Sequence, residues 1–302
     1  MSDYALPHHG PVTRFAPSPT GLLHLGHAYA ALVAAEAAER AGGIFLLRID
    51  DVDRARCRAA FEAAIYEDLR WLGLGWEEPV YRQSDHLNAY RSALTRLETL
   101  GVLYPCFCTR KEIRDEIARI GDAPHGPEGS LYPGTCRRLG AGERQQRIAA
   151  GQPFATRIDV AKARAAVEGP LEFHERGTGA EGQCGVIAAQ PELLGDVVLA
   201  RRDIGTSYHL AVTVDDAAQG VDLVTRGYDL FHATHMHVLL QALLELPRPD
   251  YAHHPLVRDA AGRRLAKRDA ALSLRELRAR GMSPAAVRVL AGQRAARLPQ
   301  RS

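Results

Sequence analysis

Two histidines and a glycine, His24-Leu25-Gly26-His27, stand where a short β-type run gives way to a helix. Val12 to Phe15 is that run, and Pro17, Pro19 and Gly21 break it. From His27 to about Arg40 the chain is Ala-rich and helical in character. A helix start offers free backbone N–H groups and the positive end of the helix dipole, so the place favours phosphate. Gly26 carries no side chain and lets a flat base approach the backbone. The imidazoles can donate hydrogen bonds to charge developing on phosphate oxygens. The alternative is an ordinary strand–helix corner with incidental histidines.

A second group able to do chemistry is Cys106-Phe-Cys108, followed by Tyr132-Pro-Gly-Thr-Cys136. Three thiolates at compact spacing suit a Zn2+ ion that needs one more ligand for a tetrahedron. Tyr132 can supply it, and His125 in the intervening stretch is its rival. Three free thiols are the other reading. His232, His235 and His237, and the pair His253-His254, have no carboxylate or cysteine partner evident in the sequence. Packing or nucleic-acid contact is expected of them rather than metal. Cys57 and Cys184 read as ordinary thiols.

These groups need a frame to hold them. The first half reads β-α-β-α: strand 44–49 ends in Asp50-Asp51-Val-Asp53, helix 58–72 has apolar residues at helical spacing, and Ser84 is a plausible N-cap for helix 85–100. Such alternation predicts an α/β fold, a parallel sheet covered by helices. Residues 106–194 are rich in Gly, Pro and Arg with weak periodicity, which predicts an insertion between two halves of one sheet. Regular patterning resumes at 196–200 and 208–214, and 222–227 reads as another strand. Helices are expected at 234–245, 273–280 and 284–290.

The 302 residues are 46% hydrophobic, which suits a globular protein, and no apolar run is long enough to span a bilayer. No charged-then-apolar leader opens the chain and five unevenly spaced cysteines make no disulfide framework, so a cytoplasmic location without a membrane partner is expected. A monomer is the default expectation; nothing in the sequence reveals the oligomeric state. From Gly262 onward there are eleven Lys/Arg and two Asp/Glu, a net +9 that leaves −7 on the rest. A basic end suits a polyanion, and a solvated helical tail would look the same.

The fuller string from Arg14-Phe-Ala16-Pro-Ser18-Pro-Thr-Gly to His24-Leu-Gly26-His27 resembles the first signature of class I aminoacyl-tRNA synthetases, in the form carried by their glutamyl branch. Gly262-Arg-Arg264-Leu-Ala266-Lys267-Arg268 resembles their second signature, usually Lys-Met-Ser-Lys-Ser. Arg264 stands for the first lysine, Ala266 for the serine and Lys267 for the second lysine. The resemblance implies a Rossmann-like catalytic domain, with 1–105 and 195–270 as its halves, 106–194 as an inserted zinc-binding subdomain and 271–302 as a short helical basic tail. It implies ATP binding by His24, Gly26, His27, Arg264 and Lys267, with His24, His27 and Lys267 catalytic. It implies a glutamate pocket of Arg14, Ala16, Ser18, Asp50, Tyr208 and Arg226. Asp50 departs from the branch, which usually has Glu there; glutaminyl enzymes have Asp. The cysteine pattern is similar to the branch's zinc site, with Cys106, Cys108, Tyr132 and Cys136 as ligands of one structural Zn2+.

A glutamyl-tRNA synthetase continues well past its second signature into helical anticodon-binding domains, and this chain stops about thirty residues after Lys267. That shortened form resembles the glutamyl-Q tRNA(Asp) synthetases. The resemblance implies activation of L-glutamate with ATP and Mg2+, then transfer to queuosine in the anticodon of tRNA(Asp), without an anticodon-binding domain. Single-stranded loops are the usual targets of specific RNA recognition, which fits. Ordinary glutamyl-tRNA ligase activity, another nucleotidylyltransferase, and a non-catalytic synthetase paralogue are the alternatives.

Overall fold

The period of two along the first strands decides which side chains meet. A computed structural model describes residues 10–120, 125–126, 129–179, 181–258 and 272–295. Strands β1 (Val12–Phe15), β2 (Ile44–Ile49) and β3 (Glu77–Arg82) form a parallel sheet in that order, joined by helices α1 (Leu25–Arg40) and α2 (Ala59–Trp71). Phe45, Leu47 and Ile49 face one way and share a core with α1. Leu46 lies in the opposite core, and Arg48 and Asp50 share its parity. In β1, Thr13 Oγ1 donates to Ala34 of α1, while Val12 packs in the opposite core with Arg14 at its parity. Parity therefore sends Arg14, Arg48 and Asp50 to one face.

Helix α3 (Leu87–Thr99) and β4 (Leu103–Cys106) follow, then α4 (Arg110–Ile120) and the short β5 (His125–Gly126) and β6 (Gly129–Ser130). After α5 (Ala141–Ala149), β7 (Ala155–Ile158) pairs antiparallel with both β4 and a later strand. Beyond α6 (Val160–Ala165) come β8 (Glu172–Glu175), β9 (Gly185–Ala188) and β10 (Val198–Ala200), which is β7's other neighbour. Helices α7 (Tyr208–Ala218) and α8 (Ala233–Leu244) alternate with β11 (Leu223–Gly227) and β12 (Asp250–His254). The second sheet runs β11-β12-β8-β9, with β11 and β12 parallel. Its edge lies against β1: Val12 N donates to Asp222 Oδ1 at 2.8 Å and Asp222 N to Val12 O at 3.2 Å. The result is the parallel-sheet α/β architecture expected from the alternation. Crevices outside the strand ends at such a switch of direction are the usual ligand sites.

Helices α9 (Leu274–Ala279) and α10 (Pro284–Ala295) close the chain against α1, with Val287, Ala291 and Ala295 buried in the first core. Arg278 and Arg275 of the basic end meet Glu67 of α2 at 2.7 and 3.8 Å. Part of that positive charge is thus bound to the body of the protein.

Local expectations fail in four places. Residues 208–214, patterned like a strand, are helical, because a helix buried between a sheet and α8 is apolar on both sides. Strand β3 went unread: its charged, Pro79-containing sequence lacks the alternation of a covered strand. Ser84 is not an N-cap; its Oγ donates to Asp51 Oδ2 at 2.7 Å, and His86 precedes the helix. Finally, β8 lies within the segment expected as an insertion, yet it pairs with β12 of the second sheet.

Candidate active site

At the strand–helix corner His24 is the N-cap of α1, and its Nδ1 accepts from Gly26 N at 3.1 Å. His27 Nδ1 accepts from His24 N at 3.1 Å, and the rings stack with centroids 3.7 Å apart. With both Nδ1 atoms occupied as acceptors, each neutral ring carries its proton on Nε2. Two N–H donors are therefore fixed beside a helix N-terminus. A Cβ on Gly26 would lie 3.0 Å from the His24 ring, so any side chain there would push that ring by a few tenths of an ångström. The chain returns to this corner after the second signature: Ser273 forms an isolated bridge with His24, and Leu274 N donates to Leu23 O at 2.8 Å. Arg264, Ala266 and Lys267 lie outside the described residues.

Below the corner is a cavity of about 180 Å3, lined by Arg14, Ala16, Asp50, Tyr208 and Arg226. Ser18 lines an adjoining cavity of about 150 Å3, which Asp50 and Tyr208 also border. The structure thus brings together the amino-acid-pocket residues named from sequence, and it adds Arg48 to the first cavity.

The walls on the β1–β2 side hold a dense set of charges. Arg14 grips Asp216 of α7 through Nε and Nη2 at 2.9 and 3.1 Å. Arg48, fully buried, donates to Asp216 at 2.6 Å and to Asp50 at 2.8 Å. Tyr90 and Gln83 donate to the neighbouring Asp215 at 2.8 and 2.7 Å. Burial alone would raise Asp216, but the charges and hydrogen bonds of Arg14 and Arg48 hold it down at about 2. Burial dominates at Asp50 and pushes it up to about 6, against the pull of Arg48. Fully ionised, these three carboxylates and two guanidiniums sum to −1. An ammonium group entering beside Asp50 would cancel that charge.

Arg226, on β11, has different company. Its Nε donates to His253 Nε2 at 3.1 Å, its Nη2 to Thr234 Oγ1 at 2.5 Å, and its Nη1 meets His237 Nδ1 at 3.2 Å. His253 Nδ1 meets Glu175 Oε2 at 2.5 Å, and His237 Nε2 meets His209 Nδ1 at 3.2 Å. Burial, helped by Arg226's charge, lowers His237 well below the usual imidazole range and His253 to about 4. Both are neutral acceptors for a cation. Neither packing alone nor RNA contact, the roles expected from sequence, describes them. The signal available was only their count near Arg226; their partners lie 11 and 27 residues away.

The thiol cluster sits at the end of β4. The Sγ atoms of Cys106, Cys108 and Cys136 lie within 4.8 Å of one another. Cys108 Sγ is 3.4 Å from Cys136 Sγ, and Tyr132 Oη is 3.4 and 3.6 Å from Cys106 and Cys108. Tetrahedral zinc with bonds of about 2.3 Å sets its sulfurs roughly 3.8 Å apart, so the set fits such an ion. Hydrogen bonding from Cys136, with Tyr132 and Arg157, lowers the Cys106 thiol against burial. Burial and the Cys106 hydrogen bond keep the Tyr132 phenol protonated. A cation would displace that proton. The His125 side chain lies outside the described residues. Among those described, this is the group of three or more such ligands that could hold a metal.

Residues 12–296 match the family model of class I tRNA synthetases (E and Q), catalytic domain. The chain is 51% identical to a glutamyl-Q tRNA(Asp) synthetase of Rhodobacter capsulatus over 286 residues, 93% of this chain and 99% of that protein. It is 43% identical to a protein of the same name from Nocardia farcinica over 290 residues, 96% of this chain and 86% of the other. Among solved structures it resembles the glutamate–tRNA synthetase of Elizabethkingia anophelis, at 27% identity and a TM-score of 0.71 over 86% of this chain. It spans about half, 53%, of that structure's length.

Proposed function

Because the chain belongs to the class I tRNA synthetases of the glutamyl and glutaminyl type, a family of ligases, we propose that it activates L-glutamate with Mg·ATP and transfers it to queuosine in the anticodon of tRNA(Asp). The observation that carries the first step is the 180 Å3 cavity, with the Asp50 carboxylate on a wall that is one positive charge short when fully ionised and, on the other side, a guanidinium, Arg226, that no carboxylate touches among the described residues. Glutamate's ammonium suits the former. Its side-chain carboxylate suits the latter, since planar guanidinium forks carboxylate oxygens well. The relatives' name, over nearly their whole length, supports queuosine as acceptor. Action on tRNA is in keeping with a cytoplasmic enzyme.

In this reading a glutamate α-carboxylate oxygen attacks the α-phosphorus, and the bond to the β-phosphate oxygen breaks to release pyrophosphate. His24 and His27 donate their Nε2–H groups to the phosphate oxygens, and Gly26 admits the base. Arg264 and Lys267 neutralise the leaving group. A queuosine hydroxyl then attacks the acyl carbon, the bond from that carbon to the phosphate oxygen breaks, and AMP departs, its phosphate taking up the hydroxyl proton. No covalent enzyme intermediate is needed, so positioning and electrostatics carry the rate. Cys106, Cys108, Tyr132 and Cys136 would hold one Zn2+, which ties the end of β4 to the 132–136 turn.

Glutamate-dependent pyrophosphate exchange without tRNA tests activation, and its absence in folded protein overturns the proposal. Charging of tRNA(Asp) with and without queuosine tests the acceptor; equal charging of both overturns base modification. Metal analysis tests the ligand set, with zinc expected near one per chain and lost in Cys106→Ser.

A further inference from the structure

A third cavity, of about 420 Å3, opens beside the glutamate pocket and shares Tyr208 with it. Its volume falls in the range of small-molecule sites, whereas 180 Å3 is small for more than an amino acid. Tyr208, 41% exposed, offers an aromatic face at the junction. Ser207, the N-cap of α7, makes no cap bond, and its buried Oγ has no hydrogen-bond partner among the described residues. His209 forms another part of the wall.

The hydrogen-bond direction at His209 is set from Arg226. A guanidinium donates and never accepts. His237 must therefore accept at Nδ1, carry its proton on Nε2, and donate it to His209 Nδ1 at 3.2 Å. Burial and the charge of Arg226 bring His209 down to about 4, so it too is neutral. Its single proton then sits on Nε2, on the ring edge away from His237. This makes His209 a donor of fixed direction, unable to take up a proton while the relay stands.

We propose that this cavity receives the acceptor nucleoside, a hydroxyl-bearing ring awaiting glutamate, and that His209 reads an acceptor oxygen of it through Nε2–H. The assignment rests on the reading above that glutamate is transferred to a nucleoside. Ser207 Oγ supplies a second polar contact, and Tyr208 the surface on which a base stacks beside the acyl group. Because His209 hangs on Arg226 through His237, acceptor and amino acid are held by one relay.

The test compares two reactions of the full chain: glutamate-dependent pyrophosphate exchange without tRNA, and transfer to queuosine-bearing tRNA(Asp). Wild-type protein that fails in either overturns the parent reading and this assignment with it. Where wild type does both, His209→Phe keeps the ring volume and removes the donor. Transfer kcat/KM for tRNA is expected to fall about tenfold further than exchange, the worth of one hydrogen bond in a dry site. Leu131→Trp, which fills the same cavity from a different wall, is expected to show the same excess loss, with exchange reporting that the variant is folded. His209→Asn, which restores a donor, should recover part of it. Parallel loss of both reactions in His209→Phe, or transfer unimpaired in either variant, overturns the assignment.

Discussion

Arginines stand on both sides of one small cavity, and their neighbours differ in kind. Arg14 and Arg48, on the first sheet, are neutralised by Asp216 and Asp50 within 3.1 Å. Arg226, on the second, is held by two neutral imidazoles and a hydroxyl. Carboxylates fix a guanidinium and cancel its field. Neutral acceptors orient it through hydrogen bonds and leave the field intact. The first pair thus builds the wall, while the second side keeps a positive charge for a ligand carboxylate.

Removing the carboxylate at the centre of the wall should have the largest effect. Asp216→Asn leaves two buried guanidiniums short of a counter-charge and should cost about 3–5 kcal/mol of stability, read by chemical denaturation. Arg226→Ala should instead leave stability less affected and lower kcat/KM for glutamate in pyrophosphate exchange by more than about a hundredfold, roughly 3 kcal/mol. If Asp216→Asn proves the milder for folding, the contrast between the two sides fails. A subtler break acts through Glu175. In Glu175→Gln an amide N–H can face His253 Nδ1, which moves that ring's proton to Nε2 and turns it against Arg226. The KM for glutamate should rise about tenfold with kcat nearly constant; a pure stability loss would show no such split.

The pH dependence is the gentlest probe. Asp50 titrates near 6, so it is ionised above and neutral below that value. The KM for glutamate should rise as pH falls through 6 and level off above it. Burial lowers both imidazole partners of Arg226, His253 to about 4, so they add no titration of their own in this range. A KM that is flat between pH 5 and 7, about one unit either side, would mean Asp50 does not meet the ammonium.

The resemblance of the opening string and of the later motifs to the glutamyl branch, not residue type alone, picked out Arg14, Ala16, Asp50, Tyr208 and Arg226, which line one cavity. Arg14, Asp50, Tyr208 and Arg226 are polar residues at or near the end of a strand or helix, where a ligand group stands out from the apolar background; Ala16 came only with the string that holds it. Arg48 did not stand out, because it sits inside the apolar run 44–49 and its partner Asp216 is 168 residues away. Strand parity would have put it on Asp50's face, but nothing local shows what that face meets. The histidines were visible and misjudged for the same reason. Whether a buried imidazole packs, binds metal or orients a cation depends on a neighbour that only the sheet order of β11 and β12 provides. The thiol cluster was more legible, since Tyr132 and Cys136 lie in one short turn.

A wall one positive charge short also rejects. Glutarate and 2-oxoglutarate carry the same two carboxylates as glutamate and would satisfy Arg226 equally. They lack the ammonium, so each would leave the negative cluster around Asp50 buried and uncompensated, now with an anion added beside it. Discrimination against these dicarboxylates needs no steric device; the carboxylate at Asp50, left without an ammonium partner, supplies it.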